Sequence, residues 1–68
     1  MIINKLKEYR EAKQLTQEEL ASSVNVSRQT IISLEKGSYN PSLELAFKLS
    51  LVLKVRIDDL FEFEEENI

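Results

Sequence analysis

Arg28, Gln29, Thr30 and Ser33 stand close together in the stretch SRQTIISLEKGSYNPS, residues 27–42. Arginine can bond a guanine edge through two parallel N–H donors, and glutamine can do the same to adenine. Serine or threonine adds a single hydrogen bond, and a methyl group can touch thymine; each good bidentate pair discriminates by about 1–3 kcal/mol. Ile31 and Leu34 are spaced to face one side of a helix, which leaves Arg28, Gln29, Ile32, Ser33 and Lys36 on the other. Ile32 is the candidate for the methyl contact. Any one of these polar residues alone is explained as part of a solvated helix start. Their combination on one face, after a tight turn, points to the reading of base edges.

Little other chemistry is open to this chain. Among its 68 residues there is no Cys and no His, so disulfides, thiolate zinc sites and imidazole chemistry are excluded. Asp58, Asp59 and Glu62 offer oxygen atoms to a hard cation, but no glycine turn or spaced ligand set accompanies them. Capping and solvation of a helix end explain them better. No enzyme activity and no cofactor are expected. The chain has no run of apolar residues long enough for a membrane span, and MIINKLKEYREAK lacks the apolar centre and cleavage site of a signal peptide. A soluble, cytoplasmic protein is the expectation. A domain of this length buries only about 60% of its unfolded surface, so its core is marginal and a partner subunit is expected.

The net charge of −3 conceals a division. Residues 1–56 hold all nine Lys and Arg against six Glu, a balance of +3, whereas Asp58, Asp59, Glu62, Glu64, Glu65 and Glu66 give residues 57–68 a balance of −6. A basic surface on the body therefore remains open. The acid run Glu64–Glu66 is the composition of an ordinary solvated terminus.

One Gly and one Pro, with apolar residues mostly at helical spacing, predict a mainly helical domain spanning residues 1–68. The first helix covers roughly Asn4 to Lys13, with Leu6, Tyr9 and Arg10 on or near its buried side. Thr16 and Glu19 form a capping box that opens a second helix, TQEELASSV, with Leu20, Ala21 and Val24 inward. Asn25 ends it, because Asn tolerates the left-handed backbone, and Val26 follows into the core. Ser27 caps a third helix that Gly37 stops, and Ser42 caps a fourth, LELAFKLSLVL. The fourth is apolar over more than one face, which a central position or a second subunit would use. IDDLF reads as a fifth, short helical turn. FEFEE alternates with period two, so Phe61 and Phe63 share one face of a strand; MII is the other candidate strand, and parallel and antiparallel pairing both remain open.

Two short helices joined by a tight turn, about residues 16–36, describe a helix-turn-helix. Ala21 is small where the helices cross, Asn25 turns the chain, and Ile31 points inward. Gln17 at the start of the second helix, where free N–H groups favour anions, is a candidate phosphate contact. Ser27, Lys36, Ser38, Tyr39 and Asn40 flank the third helix and can reach the same duplex backbone, positioning it without reading sequence. Packing beneath the loop is the competing role of Tyr39.

The combination LTQEELA, VSRQTI, LEKG and NPSLELA resembles the lambda-repressor and Cro-like helix-turn-helix regulators, also called the xenobiotic-response-element family; the likeness covers about residues 4–60. Lambda and 434 repressors are standard instances of this docking geometry. MIIN, YNPSLELA and DDLF look more narrowly like minimal Gram-positive regulators that add a small terminal sheet to this domain and act as homodimers. The resemblance implies a five-helix domain with Gln17 and Asn40 on phosphates and Arg28, Gln29, Thr30 and Ser33 in the major groove. It also implies a bracing ion pair between Arg10 and Glu35. Asn25 departs from the Gly of many members, and Ile32 from a commonly polar position.

The expected function is sequence-specific binding of double-stranded DNA as a homodimer on a near-palindromic operator, with repression by occupancy. The expected dimer surface, about residues 51–66, uses Leu51, Leu53, Val55, Ile57, Leu60 and Phe61. The rival is a protein–protein adaptor or antitoxin-type module whose acidic tail binds a basic partner, so that deleting residues 62–68 would abolish partner binding and spare DNA. A separate regulatory protein is the remaining partner the residues leave open.

Overall fold

In the computed structural model, which describes residues 2–65, the chain runs β1 (Ile2–Asn4), α1 (Leu6–Ala12), α2 (Gln17–Ser23), α3 (Arg28–Glu35), α4 (Leu43–Leu53), α5 (Ile57–Leu60) and β2 (Phe61–Phe63). Glu66, the last of the acids counted above, lies outside the described residues. The helix starts follow from local side chains. Thr16 Oγ1 accepts from Glu19 N at 3.0 Å while Glu19 Oε1 accepts from Thr16 N at 2.8 Å, the capping box of α2. Ser27 Oγ accepts from Thr30 N at 3.2 Å, and Ser42 Oγ from Leu45 N at 3.1 Å. Each such cap stabilises its helix by about 1 kcal/mol. α1 is shorter than the predicted Asn4–Lys13 because Asn4 is engaged elsewhere. Its Nδ2 donates to Leu34 O at 2.8 Å, its Oδ1 accepts from Leu6 N at 3.2 Å, and its backbone pairs in the sheet.

Four helices end alike. After each, one residue turns left-handed: Gln14 (φ 59), Asn25 (φ 60), Gly37 (φ 75) and Lys54 (φ 57). At Gly37 the two N–H bonds that close the turn run from Gly37 to Leu34 O and from Ser38 to Ser33 O, both 3.0 Å. The same pair recurs around Gln14, Asn25 and Lys54, where it holds L-residues in a conformation they otherwise avoid. A Cβ at position 37 would meet nothing within 4 Å, so Gly37→Ala tests the backbone alone. Urea unfolding is expected to show a loss of about 1 kcal/mol.

The core draws on all five helices or their ends: Leu6, Leu20, Ala21, Val24, Ile31, Leu34, Leu45, Leu49, Leu53 and Leu60 are buried together. Tyr9, Leu15, Val26, Val52, Val55 and Phe61 pack around them half-buried. α4 divides its apolar residues between two faces, with Leu45, Ala46, Leu49 and Leu53 inward and Leu43, Phe47 and Leu51 outward. Ser50 is also inward and satisfies its hydroxyl on Phe47 O at 2.8 Å. β1 and β2 pair antiparallel, Ile2 opposite Phe63 and Asn4 opposite Phe61.

Two residues expected at a dimer surface are corrected by this packing. Leu53 and Leu60 are wholly buried within one chain, so no second chain can touch them. Leu51 is exposed, and Val55, Ile57 and Phe61 are half-buried. No helix among the described residues is long and apolar enough to cross a membrane, and none of their Asp and Glu side chains cluster as a metal site.

Candidate nucleic-acid interface

α3 is seated by Ile31 and Leu34, both completely buried. This anchors the helix through one side and fixes the direction of the other. Arg28 and Gln29, in its first turn, are exposed; Ile32 and Ser33 are half-buried along the same outward flank, and Thr30 is half-buried beside the Ser27 cap. Arg28 and Lys36 form no ion pair with any other described residue, so both cations are available to an external anion. Four other cations are engaged: Arg10 with Glu35 at 2.6 Å, Lys5 with Glu62 at 3.4 Å, Lys48 with Glu44 at 3.0 Å and Arg56 with Asp58 at 3.1 Å.

The hydroxyls at the start of α3 are partly committed. Ser27 Oγ and Thr30 Oγ1 lie 3.0 Å apart in a mutual hydrogen bond, on top of the Ser27 cap. Thr30 thus keeps its methyl and part of its hydroxyl's hydrogen-bonding capacity for a ligand, and Ser27 serves the helix first. Lys36, Ser38, Tyr39 and Asn40 follow α3 as an exposed run.

Behind this face lies a buried ion pair. Arg10 Nε donates to Glu35 Oε2 at 2.6 Å, its Nη2 reaches Oε1 at 3.3 Å, and its Nη1 donates to Leu15 O at 2.8 Å. The hydrogen bond to Glu35 raises the Arg10 pKa above the ordinary arginine value, against the opposing effect of burial. Gln17 Nε2 donates to the same carboxylate, at 3.1 Å from Oε1. Glu35 therefore holds α1, the turn after it, α2 and α3 in one fixed arrangement. Gln17 has a second amide N–H beyond the one given to Glu35.

Two of these ties had no local signal. Asn4 reaches Leu34 O across 30 residues of sequence, and the Gln17 side chain turns to Glu35 across 18. Neither has the short spacing that marks a cap. The acid-rich segment is also less detached than its composition suggests: Asp58 and Glu62 pair with body cations, and Asp59 Oδ2 accepts from Arg56 N at 3.2 Å.

Comparison with known proteins meets this geometry. A helix-turn-helix family model matches residues 6–60. An uncharacterized HTH-type transcriptional regulator of Methanocaldococcus jannaschii is 56% identical over 64 residues, covering 94% of this chain and 97% of that one. The cryptic phage CTXphi transcriptional repressor RstR of Vibrio cholerae is 35% identical over 68 residues, covering 100% of this chain and 61% of that one. The crystal structure of SinR, a master regulator for biofilm formation, in complex with DNA aligns with TM-score 0.73 at 33% identity, covering 78% of this chain and 86% of that one; SinR is from Bacillus subtilis. The family match over most of the chain, with the two-sided α3, shows that this protein belongs to the helix-turn-helix family of lambda-repressor-like, DNA-binding transcriptional regulators.

Proposed function

We propose that this regulator is a sequence-specific repressor that occupies a near-palindromic operator as a homodimer, with α3 of each copy in the major groove. The observation that carries the reading is the division of α3: Ile31 and Leu34 completely buried, Arg28 and Gln29 exposed and Arg28 without an ion-pair partner among the described residues. Arg28 and Gln29 are the base readers, with Thr30 and Ser33 beside them. Gln17, Ser27, Lys36, Tyr39 and Asn40 grip the phosphates, Gln17 through the amide N–H that Glu35 leaves over. A two-fold axis would set the two α3 helices about 34–36 Å apart, one turn of DNA.

Selection of a binding site from random duplexes, followed by titration at several salt concentrations, tests this. Arg28→Ala is expected to relax preference at one base position by about 1–3 kcal/mol. Lys36→Ala is expected to weaken all sequences alike and to lower the salt slope by about one. Equal loss on every sequence for Arg28→Ala would remove it from base reading. The adaptor reading is less supported, because Asp58 and Glu62 are held by Arg56 and Lys5. Deleting residues 62–68 would also strip Glu62 and Phe63 from β2, so Glu64→Gln with Glu65→Gln is the cleaner test of a basic partner.

A further inference from the structure

Ile32 is the apolar side chain of the helix-turn-helix that the fold does not use. Of the others between residues 16 and 36, Leu20, Ala21, Val24, Ile31 and Leu34 are buried in the core, and Val26 packs against it. Ile32 does neither. It is half-buried, yet it stands outside both the core and the apolar residues packed around it. Its neighbours on the outward flank of α3, next in sequence or three to four residues away, are Arg28, Gln29, Ser33 and Lys36, all polar. Glu35, also within that reach, is turned to Arg10 and Gln17.

We propose that Ile32 is a specificity-determining residue that reads the C5-methyl group of one operator pyrimidine, accepting thymine or 5-methylcytosine and rejecting unmethylated cytosine. The inference rests on the proposed operator reading and deepens it. An isoleucine side chain neither donates nor accepts a hydrogen bond. In the major groove the thymine methyl is the apolar group on a base edge, and the other groups presented there are donors and acceptors. Pressed against those, Ile32 strips their water and returns no bond; against the methyl, it takes apolar surface out of water on both sides. The methyl of 5-methylcytosine sits on the same ring carbon as that of thymine. Ile32 has no polar atom with which to tell the two bases apart at C4, so at this position a methylated cytosine substitutes for thymine.

Two observations favour a base edge over a protein as what Ile32 meets. A docking protein needs contiguous apolar area, and α3 offers a single such residue on its outward flank. Arg28 and Lys36, four residues before and after it, are exposed and form no ion pair with any other described residue. A row of cation, apolar side chain and cation fits a groove in which methyl groups lie between two lines of phosphates. Four residues of helix rise about 6 Å, against about 3.4 Å for each base step. The methyl therefore belongs to a pyrimidine within about two base pairs of the base that Arg28 reads.

Competition binding of the full chain to the operator selected from random duplexes tests this. Each thymine is replaced in turn by deoxyuridine, which removes the methyl alone. For the native chain, one replacement is expected to weaken binding about fourfold. Cytosine at the same position is expected to bind more weakly than thymine, and 5-methylcytosine to recover most of the difference. Ile32→Ala, which places a strong helix former outside the core, is expected to keep the native helix signal in far-UV circular dichroism. It is expected to bind the thymine and uracil duplexes alike, while Ile32→Val retains part of the preference. Uracil tolerated at every position by the native chain, 5-methylcytosine no better than cytosine, or a methyl preference undiminished in Ile32→Ala overturns the proposal and leaves base reading by Arg28 intact. A lost helix signal in Ile32→Ala makes the side chain structural and overturns it as well. A native chain that prefers no duplex sinks the operator reading and the proposal with it.

Discussion

Replacing Glu35 by Leu while leaving Arg10 in place is expected to cost about 3–5 kcal/mol, the penalty of an uncompensated buried charge. The total stability of a chain this size is about 3–10 kcal/mol, so much of the population would unfold. Both side chains are largely covered, and without the carboxylate Arg10 keeps, among the described residues, Leu15 O at 2.8 Å and Glu11 at 4.0 Å. Gln17 loses its acceptor in the same step. Removing both charges, Arg10→Met with Glu35→Leu, is expected to recover most of the loss, because a buried ion pair and an apolar pair of similar volume are often near equal in stability. Urea unfolding of the two single variants and the double variant closes the cycle. Single losses below about 1 kcal/mol would mean that the pair behaves as a solvated surface bridge.

The pH dependence of this pair has a definite sign on the arginine side. A folded-state pKa raised above the ordinary value contributes stability that is fully present below that ordinary value and lost only as pH rises through the folded one. The Arg10 contribution is therefore constant through the whole neutral range, and alkaline titration short of arginine deprotonation is expected not to release it.

Ile31→Ala is the second large effect, expected at about 2–5 kcal/mol by loss of burial and creation of a cavity. Ile31 is completely buried midway along α3 and packs in the same cluster as Leu20, Ala21 and Leu34. A loosened α3 would present Arg28 and Gln29 in more than one orientation. Discrimination between operator and mismatched duplex is then expected to fall even at temperatures where the variant remains folded, a result readable by competition binding. Undiminished discrimination would mean that the outward flank of α3 does not depend on its inner seat.

Helix starts were readable from sequence because each rests on a partner three residues away: Thr16 with Glu19, Ser27 with Thr30, Ser42 with Leu45. Asn25 was readable for a similar reason, since few side chains tolerate its backbone. Gln14 and Lys54 adopt the same left-handed turn with no such preference, and only the hydrogen bonds around them explain it. Leu53 and Leu60 were misplaced at the expected dimer surface for a different reason. Where a segment is apolar on several sides, periodicity cannot tell which side the rest of the chain will cover, and Leu53 and Leu60 were taken inward while Leu43 and Phe47 were left outside. On α3 the same periodicity succeeded, because one flank is polar and only Ile31 and Leu34 could go in.

The short ribbon makes the molecule close to a ring. With Ile2 across from Phe63, and Lys5 N donating to Leu60 O at 2.9 Å just inside, each extremity supplies the hydrogen-bonding template for the other. Cutting into either strand thus orphans backbone groups on the other, so tolerance to loss of residues 2–4 and of residues 61–63 is expected to be shared by the two strands and not a property of either alone.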